Sequence, residues 1–339
     1  AWNRVTANYP GETLVDEHYY QSKDFMLGQT DRYDYYDRLD QNGSDVFVGE
    51  YATHMGNRNN NLESAIVDAA YMTGFERNGD IVRNASYAPL FEKIGSTNWT
   101  QNMIRFDEFD SVATTNYYVQ YMYGNNYGSQ IVNTVLEKNG SVLNYDQGSV
   151  MLAAWNTNVE ISHVKVTGLD EDGNEVVLLE DNFDGCNTDP DLQLEAVSGS
   201  TGSFTIANGK LTLTGGTGKN AVWLPQVVDD PAWQRDKVEA TVTKTSGAEG
   251  FLLGVGARDA NNYLWYNMGG WENTGTRFER IRNGSTQPLG NRFDEAVPAI
   301  KTGEEMQVTV NYGLNGKLEA GYTSASVDLA DHFSYDLVP

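Results

Sequence analysis

The sequence predicts two kinds of fold in series, an α/β segment over residues 1–128 and an all-β segment over residues 129–339. Strand-like and helix-like patterns alternate as far as Gly128, and such alternation is typical of parallel βα units. After Gly128, Asn-Gly pairs recur between alternating apolar residues, which is typical of antiparallel hairpins. The 339 residues, 40% of them hydrophobic, are enough for two hydrophobic cores.

The first segment opens with predicted strands at residues 13–20 (TLVDEHYY) and 45–52 (DVFVGEYA). A helix is predicted next, because apolar side chains recur at a period of 3.6 residues. Asn60 or Asn61 can cap this helix, and Gly79 lies just beyond its end. A third strand follows within residues 80–91, where Pro89 would end it, and an aromatic-rich helix is predicted over residues 114–128. The apolar positions of the first helix are Leu62, Ala65, Ile66, Ala69, Ala70 and Phe75.

The second segment is predicted to be an antiparallel sandwich. Residues 250–270 (GFLLGVGARDANNYLWYNMGG) contain two core strands joined by a polar turn. Strands at regular spacing with turn signals between them favour this fold. The predicted two-residue turns lie at 139–140, 172–173, 208–209, 283–284 and 315–316.

Composition limits the classes of partner. The formal net charge of −24 argues against nucleic acid or an anionic membrane surface. A single cysteine, Cys186, allows no internal disulfide. The 20 tyrosines and 7 tryptophans have two interpretations that composition leaves open. They fill the cores of β-sheets, or they present flat faces on which sugars stack.

Glu50 is the first candidate for a functional residue, because it closes an apolar strand. In a barrel of parallel strands the active site lies at the carboxyl ends of the strands. His18 and Tyr20 close the preceding strand, and the period of two places them on one side of it. If the strands are neighbours, the three side chains share a pocket, and the Tyr20 hydroxyl can hold a carboxylate oxygen. A solvated loop acid and a structural histidine are the alternatives that position alone leaves open.

Several motifs in a fixed order resemble the C-terminal part of α-L-arabinofuranosidases of glycoside hydrolase family 51. The resemblance covers roughly residues 10 to 128. It is more specific than any single motif, because the order is kept. The motifs are VDEHYY (15–20), YDYYDR (33–38), VFVGEYA (46–52), DAAYMTGFERNGDIVRNASYAPLF (68–91), NWTQNMIRFD (98–107) and TTNYYVQYMYGNNYG (114–128).

The resemblance implies the C-terminal portion of a (β/α)8 TIM barrel, with strand six at residues 14–20 and strand eight at about 80–88. It makes Glu50, at the end of strand seven, the catalytic nucleophile, and Tyr20 the residue that orients it. It places His18 in the wall of the substrate pocket. Trp99, in the loop after strand eight, is a candidate for the pocket mouth, although a structural tryptophan is an equal alternative. Family members hydrolyse arabinofuranosyl bonds with retention, which needs two carboxyl groups about 5–5.5 Å apart.

The second carboxylate is not found where the resemblance requires it. In this family the acid/base glutamate belongs to an Asn-Glu pair upstream of the DEHYY motif, and residues 1–20 contain no such pair. The pair Asn174-Glu175 lies in a predicted hairpin of the second segment. We therefore expect a C-terminal piece of a longer enzyme, inactive alone, whose partners are the N-terminal part of the barrel and an arabinose-containing polysaccharide or oligosaccharide. The alternative is a non-catalytic carbohydrate-binding protein with an incomplete barrel.

The second segment resembles a concanavalin-like, laminin-G-type β-sandwich. The motifs that carry this resemblance lie at 148–167, 176–185, 208–216, 248–274 and 278–285. Four aromatic residues in it, Tyr263, Trp265, Tyr266 and Trp271, either form a sugar-stacking face or fill the core. The acidic residues of 181–192 offer hard oxygen ligands for calcium, but their spacing does not support a site, and no metal or cofactor is predicted. An acidic, lysine-poor chain with a lectin-like module favours secretion.

Overall fold

The computed structural model describes residues 13–36, 44–56, 60–96, 99–130, 132, 137–138, 141–142, 148–170, 172–185, 194–214, 217–224, 236–290 and 297–336. Its internal contacts divide the chain into two compact units, Ala1–Thr134 and Val135–Pro339. The sequence predicts the division slightly earlier, after residue 128.

The first unit contains the alternating strands and helices that the sequence predicts. The strands are β1 (Leu14–Ser22), β2 (Asp45–His54), β3 (Val82–Tyr87), β4 (Phe91–Lys93), β5 (Ile104–Phe106) and β6 (Ser111–Ala113). The helices are α1 (Lys23–Gly28), α2 (Leu62–Arg77) and α3 (Thr115–Asn125), with a 3₁₀ turn at Arg32–Tyr35. The third strand ends at Tyr87, two residues before Pro89.

A parallel sheet with the order β1-β2-β3 forms the centre of the first unit. Helix α2 connects β2 to β3, which is the βαβ arrangement expected from the sequence. Val46, Val48 and Tyr51 of β2 are fully buried, and the ring of Tyr51 packs edge-on against Phe75 of α2 at 5.2 Å. The described residues thus form three parallel strands at the positions where the sequence predicts strands six to eight of a barrel.

Helix α2 begins at a capping box and buries a different stripe from the one that the sequence predicts. The Asn61 side chain accepts from the Ser64 backbone N–H at 2.8 Å, and the Ser64 hydroxyl contacts the Asn61 backbone. The prediction that Leu62 and Ile66 face the core is wrong, because both side chains are exposed. The buried face instead consists of Ser64, Ala65, Val67, Asp68, Tyr71, Met72, Gly74 and Phe75. A polar residue, Asp68, thus occupies a core position that an apolar count overlooks.

The described part of the second unit is all-β, as predicted, apart from one short helical turn at Gly270–Asn273. Apart from a two-stranded ladder of β7 (Glu137–Lys138) and β8 (Ser141–Val142), its strands form two antiparallel sheets. One sheet has the order β13-β14-β10-β16-β21-β22-β23, with β11 also paired to β10, and the other has the order β12-β15-β9-β17-β18-β19-β20. The strands are β9 (Ser149–Trp155), β10 (Thr157–Leu169), β11 (Glu175–Asp181), β12 (Glu195–Ala196), β13 (Ser203–Ala207), β14 (Lys210–Thr214), β15 (Lys219–Leu224), β16 (Asp236–Gly247), β17 (Phe251–Asp259), β18 (Asn262–Gly269), β19 (Gly275–Arg282), β20 (Ser285–Pro288), β21 (Glu305–Tyr312), β22 (Lys317–Ser324) and β23 (Asp328–Asp336).

Asn-Gly pairs make the tight turns for which they are suited. Asn208-Gly209 joins β13 to β14 and Asn283-Gly284 joins β19 to β20, and all four residues have positive φ. That backbone geometry matches the twist of the flanking strands. The pair at 315–316 belongs to a longer turn between β21 and β22. The predicted turn at 139–140 lies outside the described residues.

The four aromatic residues of the predicted sugar-stacking face divide between two sides of a sheet. Tyr266 is fully buried between the two sheets and packs against Phe333 of β23 at 5.8 Å. Tyr263 and Trp265 lie on the opposite side of β18, in a second buried cluster with Trp223. Of the two interpretations that the sequence leaves open, core filling therefore applies to Tyr263, Trp265 and Tyr266, and Trp271 alone among the four is substantially exposed, at 39%.

Two further sequence predictions concern metals and membranes. Among the described residues, no group of three or more potential metal ligands is found. Residues 186–193, which include Cys186 and much of the acidic segment considered for calcium, lie outside the described residues. None of the helices in the described part of the chain is long and apolar enough to cross a membrane.

Candidate active site

The carboxyl ends of β1 and β2 bring together the three polar residues that the sequence predicts. The strands are parallel neighbours, and His18 pairs in register with Glu50. The Tyr20 hydroxyl donates to Glu50 Oε2 at 2.7 Å. His18 Nδ1 lies 3.5 Å from the same carboxylate oxygen. Glu50 is therefore held from two sides by residues of the adjacent strand.

A β-bulge at Gly49 decides which way Glu50 points. Between Glu17 and His18 the register shifts, so that Val48 pairs with Glu17 but Glu50 pairs with His18. The extra residue reverses the alternation of β2. Without it, Glu50 would share the helix-facing side with Val48, which is fully buried. With it, Glu50 reaches the side of Tyr20.

Glycine is required at the bulge because a neighbouring side chain occupies the space of a Cβ atom. A Cβ at residue 49 would lie 2.1 Å from Asp16 Oδ1. Asp16 in turn contacts His18, with 3.0 Å between Oδ2 and Nε2. The Asp16 carboxylate therefore lies beside both Gly49 and the imidazole of His18. Because His18 also contacts Glu50, the three side chains form a row of polar contacts from Asp16 through His18 to Glu50.

Two rings, those of His54 and Trp99, lie beside Tyr20 at the end of the strands. The centroid of Trp99 lies 5.1 Å from that of Tyr20, and the centroid of His54 lies 5.5 Å from it. His54 and Trp99 also contact each other edge-on at 5.7 Å. Trp99 is 37% exposed, so its ring is accessible beside Tyr20.

Asp16 and His54 belong to the site but were not predicted. His54 lies four residues after Glu50, at the last position of β2. Asp16 shares the alternation of His18 and Tyr20 along β1, which is the signal that could have identified it. The same signal marks His54, because its spacing of four residues places it on the same side of β2 as Glu50, beyond the bulge.

A buried hydrogen-bond network fixes the end of β2 from behind. Asp68 of α2 accepts from the Thr53 backbone N–H at 3.1 Å and also from the Thr53 hydroxyl. The Asn116 side chain on α3 donates to the other oxygen of Asp68. One carboxylate thus ties the strand that carries Glu50 to two helices.

A second buried carboxylate fixes β1 on its helix-facing side. The hydroxyls of Tyr33 and Tyr36 donate to Glu17 at 3.0 and 2.9 Å, and the Tyr19 hydroxyl donates to it as well. Arg32 lies over the ring of Tyr19, with its guanidinium carbon 5.1 Å from the centroid. Because a buried charge is costly unless it is paired and hydrogen-bonded, these donors make Glu17 tolerable and hold β1 rigidly.

The electrostatic environment keeps Tyr20 in its donor form. Burial raises the pKa of the Tyr20 phenol well above its usual range, and its hydrogen bond to the Glu50 carboxylate and the charge of that carboxylate raise this pKa further. The phenol is therefore protonated at neutral pH.

Comparison with protein families assigns the chain. Residues 42–262 match the model of the α-L-arabinofuranosidase C-terminal domain. The chain belongs to the α-L-arabinofuranosidase C-terminal domain family. The resemblance to the C-terminal part of family 51 α-L-arabinofuranosidases is thereby confirmed.

Curated relatives of the family match most of the chain. The extracellular exo-α-L-arabinofuranosidase of Streptomyces chartreusis is 34% identical over 297 residues, which cover 88% of this chain and 33% of that protein. The probable α-L-arabinofuranosidase A of Aspergillus oryzae is 32% identical over 218 residues, covering 62% of this chain and 33% of that protein. The chain thus spans about one third of the length of the curated relatives it matches.

Two solved family 51 structures also match. The arabinose-bound MgGH51 α-L-arabinofuranosidase has a TM-score of 0.33 and 20% identity, covering 68% of this chain and 37% of that one. The enzyme AbfB from Bifidobacterium longum has a TM-score of 0.31 and 12% identity, covering 65% of this chain and 54% of that one. Assignment to the family rests on the sequence match.

Proposed function

We propose that this chain carries the nucleophile of a retaining α-L-arabinofuranosidase, with Glu50 in that role. The observation that supports the proposal is the position of Glu50 at the carboxyl end of a parallel strand, where the Tyr20 hydroxyl donates to it at 2.7 Å. On this proposal, the first unit is the C-terminal portion of a TIM barrel, a fold whose catalytic residues lie at the carboxyl ends of the strands.

In the proposed reaction, Glu50 Oε attacks the anomeric carbon of a terminal arabinofuranosyl unit as the bond to the leaving oxygen breaks. A second carboxyl group protonates that oxygen and then activates water, which hydrolyses the glycosyl ester and restores Glu50. Tyr20 holds Glu50 in its attacking orientation, and His18, His54 and Trp99 line the sugar site. We infer that the acid/base glutamate lies outside these 339 residues.

The names of the relatives support the substrate and the location. Because the Streptomyces chartreusis relative is named an extracellular exo-α-L-arabinofuranosidase, we propose that this chain also acts outside the cell. Its substrates are then the terminal arabinofuranosyl side chains of plant polysaccharides or oligosaccharides. The 339-residue chain alone should release no arabinose from 4-nitrophenyl α-L-arabinofuranoside, because it lacks the proton donor.

Azide rescue in a chimaera tests the role of Glu50. Residues 13–339 replace the matched part of the Streptomyces chartreusis relative, which supplies the remaining part of the enzyme. Glu50→Ala should lower kcat at least about 10³-fold. Azide should restore turnover and yield a glycosyl azide of inverted configuration, since azide attacks where the carboxylate did.

Glu63→Ala is the matched control, because Glu63 is an exposed acid that pairs with Lys23 at 2.9 Å on the surface. Its kcat should equal that of the parent chimaera. An active Glu50→Ala chimaera, or one that azide does not rescue, would contradict the assignment. A parent chimaera that folds and binds polysaccharide without hydrolysing it would support the alternative, a non-catalytic carbohydrate-binding protein.

A further inference from the structure

A left-handed turn between β18 and β19 exposes the side chain of Trp271 on the surface of the second unit. Trp271, Glu272 and Asn273 have φ values of 52°, 60° and 64°, a conformation that side chains other than glycine rarely adopt. The Asn273 side chain holds the turn by donating to the Ile300 carbonyl and accepting from the Ile300 N–H, both at 2.9 Å. The turn is therefore fixed by its surroundings and does not depend on local backbone preference.

The ring of Trp271 is ordered by a charged pair beneath it. The guanidinium carbon of Arg277 lies 4.5 Å from the ring centroid. Arg277 is itself held by Glu279, with 2.7 Å between Nη2 and Oε1. Glu279 is only 4% exposed and accepts further hydrogen bonds from Trp265 and Asn267, at 3.0 and 3.1 Å. A preset ring that remains 39% exposed loses little conformational freedom when a ligand covers it.

A second exposed tryptophan belongs to the same region of the sheet. Trp155, at the end of β9, is 37% exposed, and its ring stands perpendicular to Trp265 at 6.4 Å. Trp265 donates to Glu279, which binds Arg277 beneath Trp271. A continuous set of side-chain contacts thus connects the two exposed rings.

Glu249 connects the same two segments by a separate route. Its carboxylate accepts hydrogen bonds from the side chain of Asn156 and from the backbone N–H of Glu272, the residues that follow the two tryptophans. Burial raises the pKa of Glu249, and the carboxylates of Glu272 and Glu279 raise it further. Polar acceptors therefore lie between the rings.

We propose that Trp155 and Trp271, with Glu249 and Glu272 between them, form a binding site for a neutral polysaccharide chain. The apolar face of a sugar ring stacks on indole, while its hydroxyl groups donate to carboxylates. The ends of β9 and β18 are separated by β17 and so lie two strand spacings apart, about 10 Å. That separation suits a chain of several sugar rings and exceeds the length of a single sugar.

The charge of the site selects against acidic ligands. Of the three glutamates near the rings, Glu279 is paired with Arg277, which leaves the charges of Glu249 and Glu272. Because the whole chain also carries a net charge of −24, a uronate or phosphate group would be repelled. A proline-rich peptide also stacks on aromatic rings, but it offers few hydroxyl donors for the carboxylates. The polysaccharide is therefore the ligand that satisfies both the rings and the acids.

Titration calorimetry of the 339-residue chain tests the proposal with arabinan, arabinoxylan and polygalacturonate. We expect binding to at least one of the two neutral polymers and none to polygalacturonate. Trp155→Ala and Trp271→Gly should each raise Kd about tenfold or more. Glycine is chosen at residue 271 because it removes the ring and favours the left-handed backbone. Trp271→Phe, which keeps a ring, should retain most of the affinity.

Phe109→Ala is the control, because it removes an aromatic side chain that is 91% exposed and belongs to neither candidate site. Its Kd should equal that of the parent chain, and thermal unfolding should show every variant folded. The proposal is overturned by flat traces with both neutral polymers, by unchanged Kd in both tryptophan variants, or by loss of binding in Phe109→Ala. A proline-rich peptide that binds where the polymers do not would also overturn it. Binding is measured without hydrolysis, so these outcomes are independent of the role of Glu50.

Discussion

At the scale of single residues, the carboxylates of the first unit differ in what surrounds them. Glu50 is 42% exposed in its side chain and is held by Tyr20 and His18, so it is open to a substrate. Asp68 is fully buried and is held by Thr53 and Asn116. Glu50, which is accessible and held in one orientation, is suited to chemistry on a ligand. Asp68, which is enclosed, is suited to supporting β2, the strand that carries Glu50.

Asp68 should make the stability of the first unit depend on pH. Burial raises its pKa to about 6, although the hydrogen bonds from Thr53 and Asn116 favour the charged form. The ordinary value is 3.8, so between about pH 4 and pH 6 the folded state binds more protons than the unfolded state. Stability therefore falls as the pH rises through this window, by on the order of 2–3 kcal/mol from this group.

Replacement with asparagine should remove that dependence. Urea unfolding followed by circular dichroism at 222 nm reports on the first unit, since α2 and α3 are its long helices. From pH 4 to 6, the free energy of unfolding of the Asp68→Asn variant should change less than that of the parent chain, because asparagine does not titrate. A difference between parent and variant that is constant over this range would show that Asp68 does not titrate there.

At the scale of elements, the sequence predicts the order and kind of most helices and strands of the first unit, but not which side of β2 Glu50 lies on. Alternation along β1 places His18 and Tyr20 together, as found. The same rule applied to β2 would group Glu50 with Val48, and the bulge at Gly49 reverses it. The bulge brings Gly49 against the Asp16 side chain of β1, and this contact between strands is not contained in the local pattern of β2.

The buried face of α2 was missed for a related reason. Its core stripe includes Ser64, Asp68 and Gly74, which an apolar period does not count. Their burial depends on partners from other elements, such as Asn116 for Asp68. In the second unit, by contrast, the turn pairs Asn208-Gly209 and Asn283-Gly284 could be predicted, because their geometry is set by the residues themselves.

Two helix glycines offer a matched test of packing against helix propensity. A Cβ atom at Gly74 of α2 would lie 2.2 Å from the Thr30 carbonyl oxygen, whereas one at Gly124 of α3 would meet nothing within 4 Å. Gly74→Ala should therefore cost about 1–3 kcal/mol through overpacking. Gly124→Ala should gain up to about 1 kcal/mol, because alanine is the better helix former.

Urea unfolding of the two variants, monitored by the helical signal at 222 nm, separates these effects. Opposite signs of the change are expected, since the substitution is the same and only the surroundings differ. If Gly74→Ala were as stable as the parent chain, the close contact between α2 and the segment at Thr30 would be wrong.

At the scale of the whole molecule, charge is the property that both units share. The chain has 47 acidic residues against 23 basic ones, and ion pairs such as Arg77 with Asp34 use only part of the excess. Unpaired like charges repel one another in the compact state more than in the unfolded chain. The same excess selects against anionic ligands at both candidate sites.

Salt should therefore stabilise the protein at neutral pH. Raising NaCl from about 10 to about 150 mM shortens the screening length from about 30 to about 8 Å, so repulsion between separated acids weakens more than attraction within close pairs. The urea midpoint at pH 7 should rise with salt, most steeply at the low end. The control is the same titration near pH 4.4, the isoelectric point, where the net charge vanishes and the rise should disappear. A midpoint that falls with salt at pH 7 would mean that attractive pairs outweigh the repulsion, and the acidic excess would then have no cost to folding.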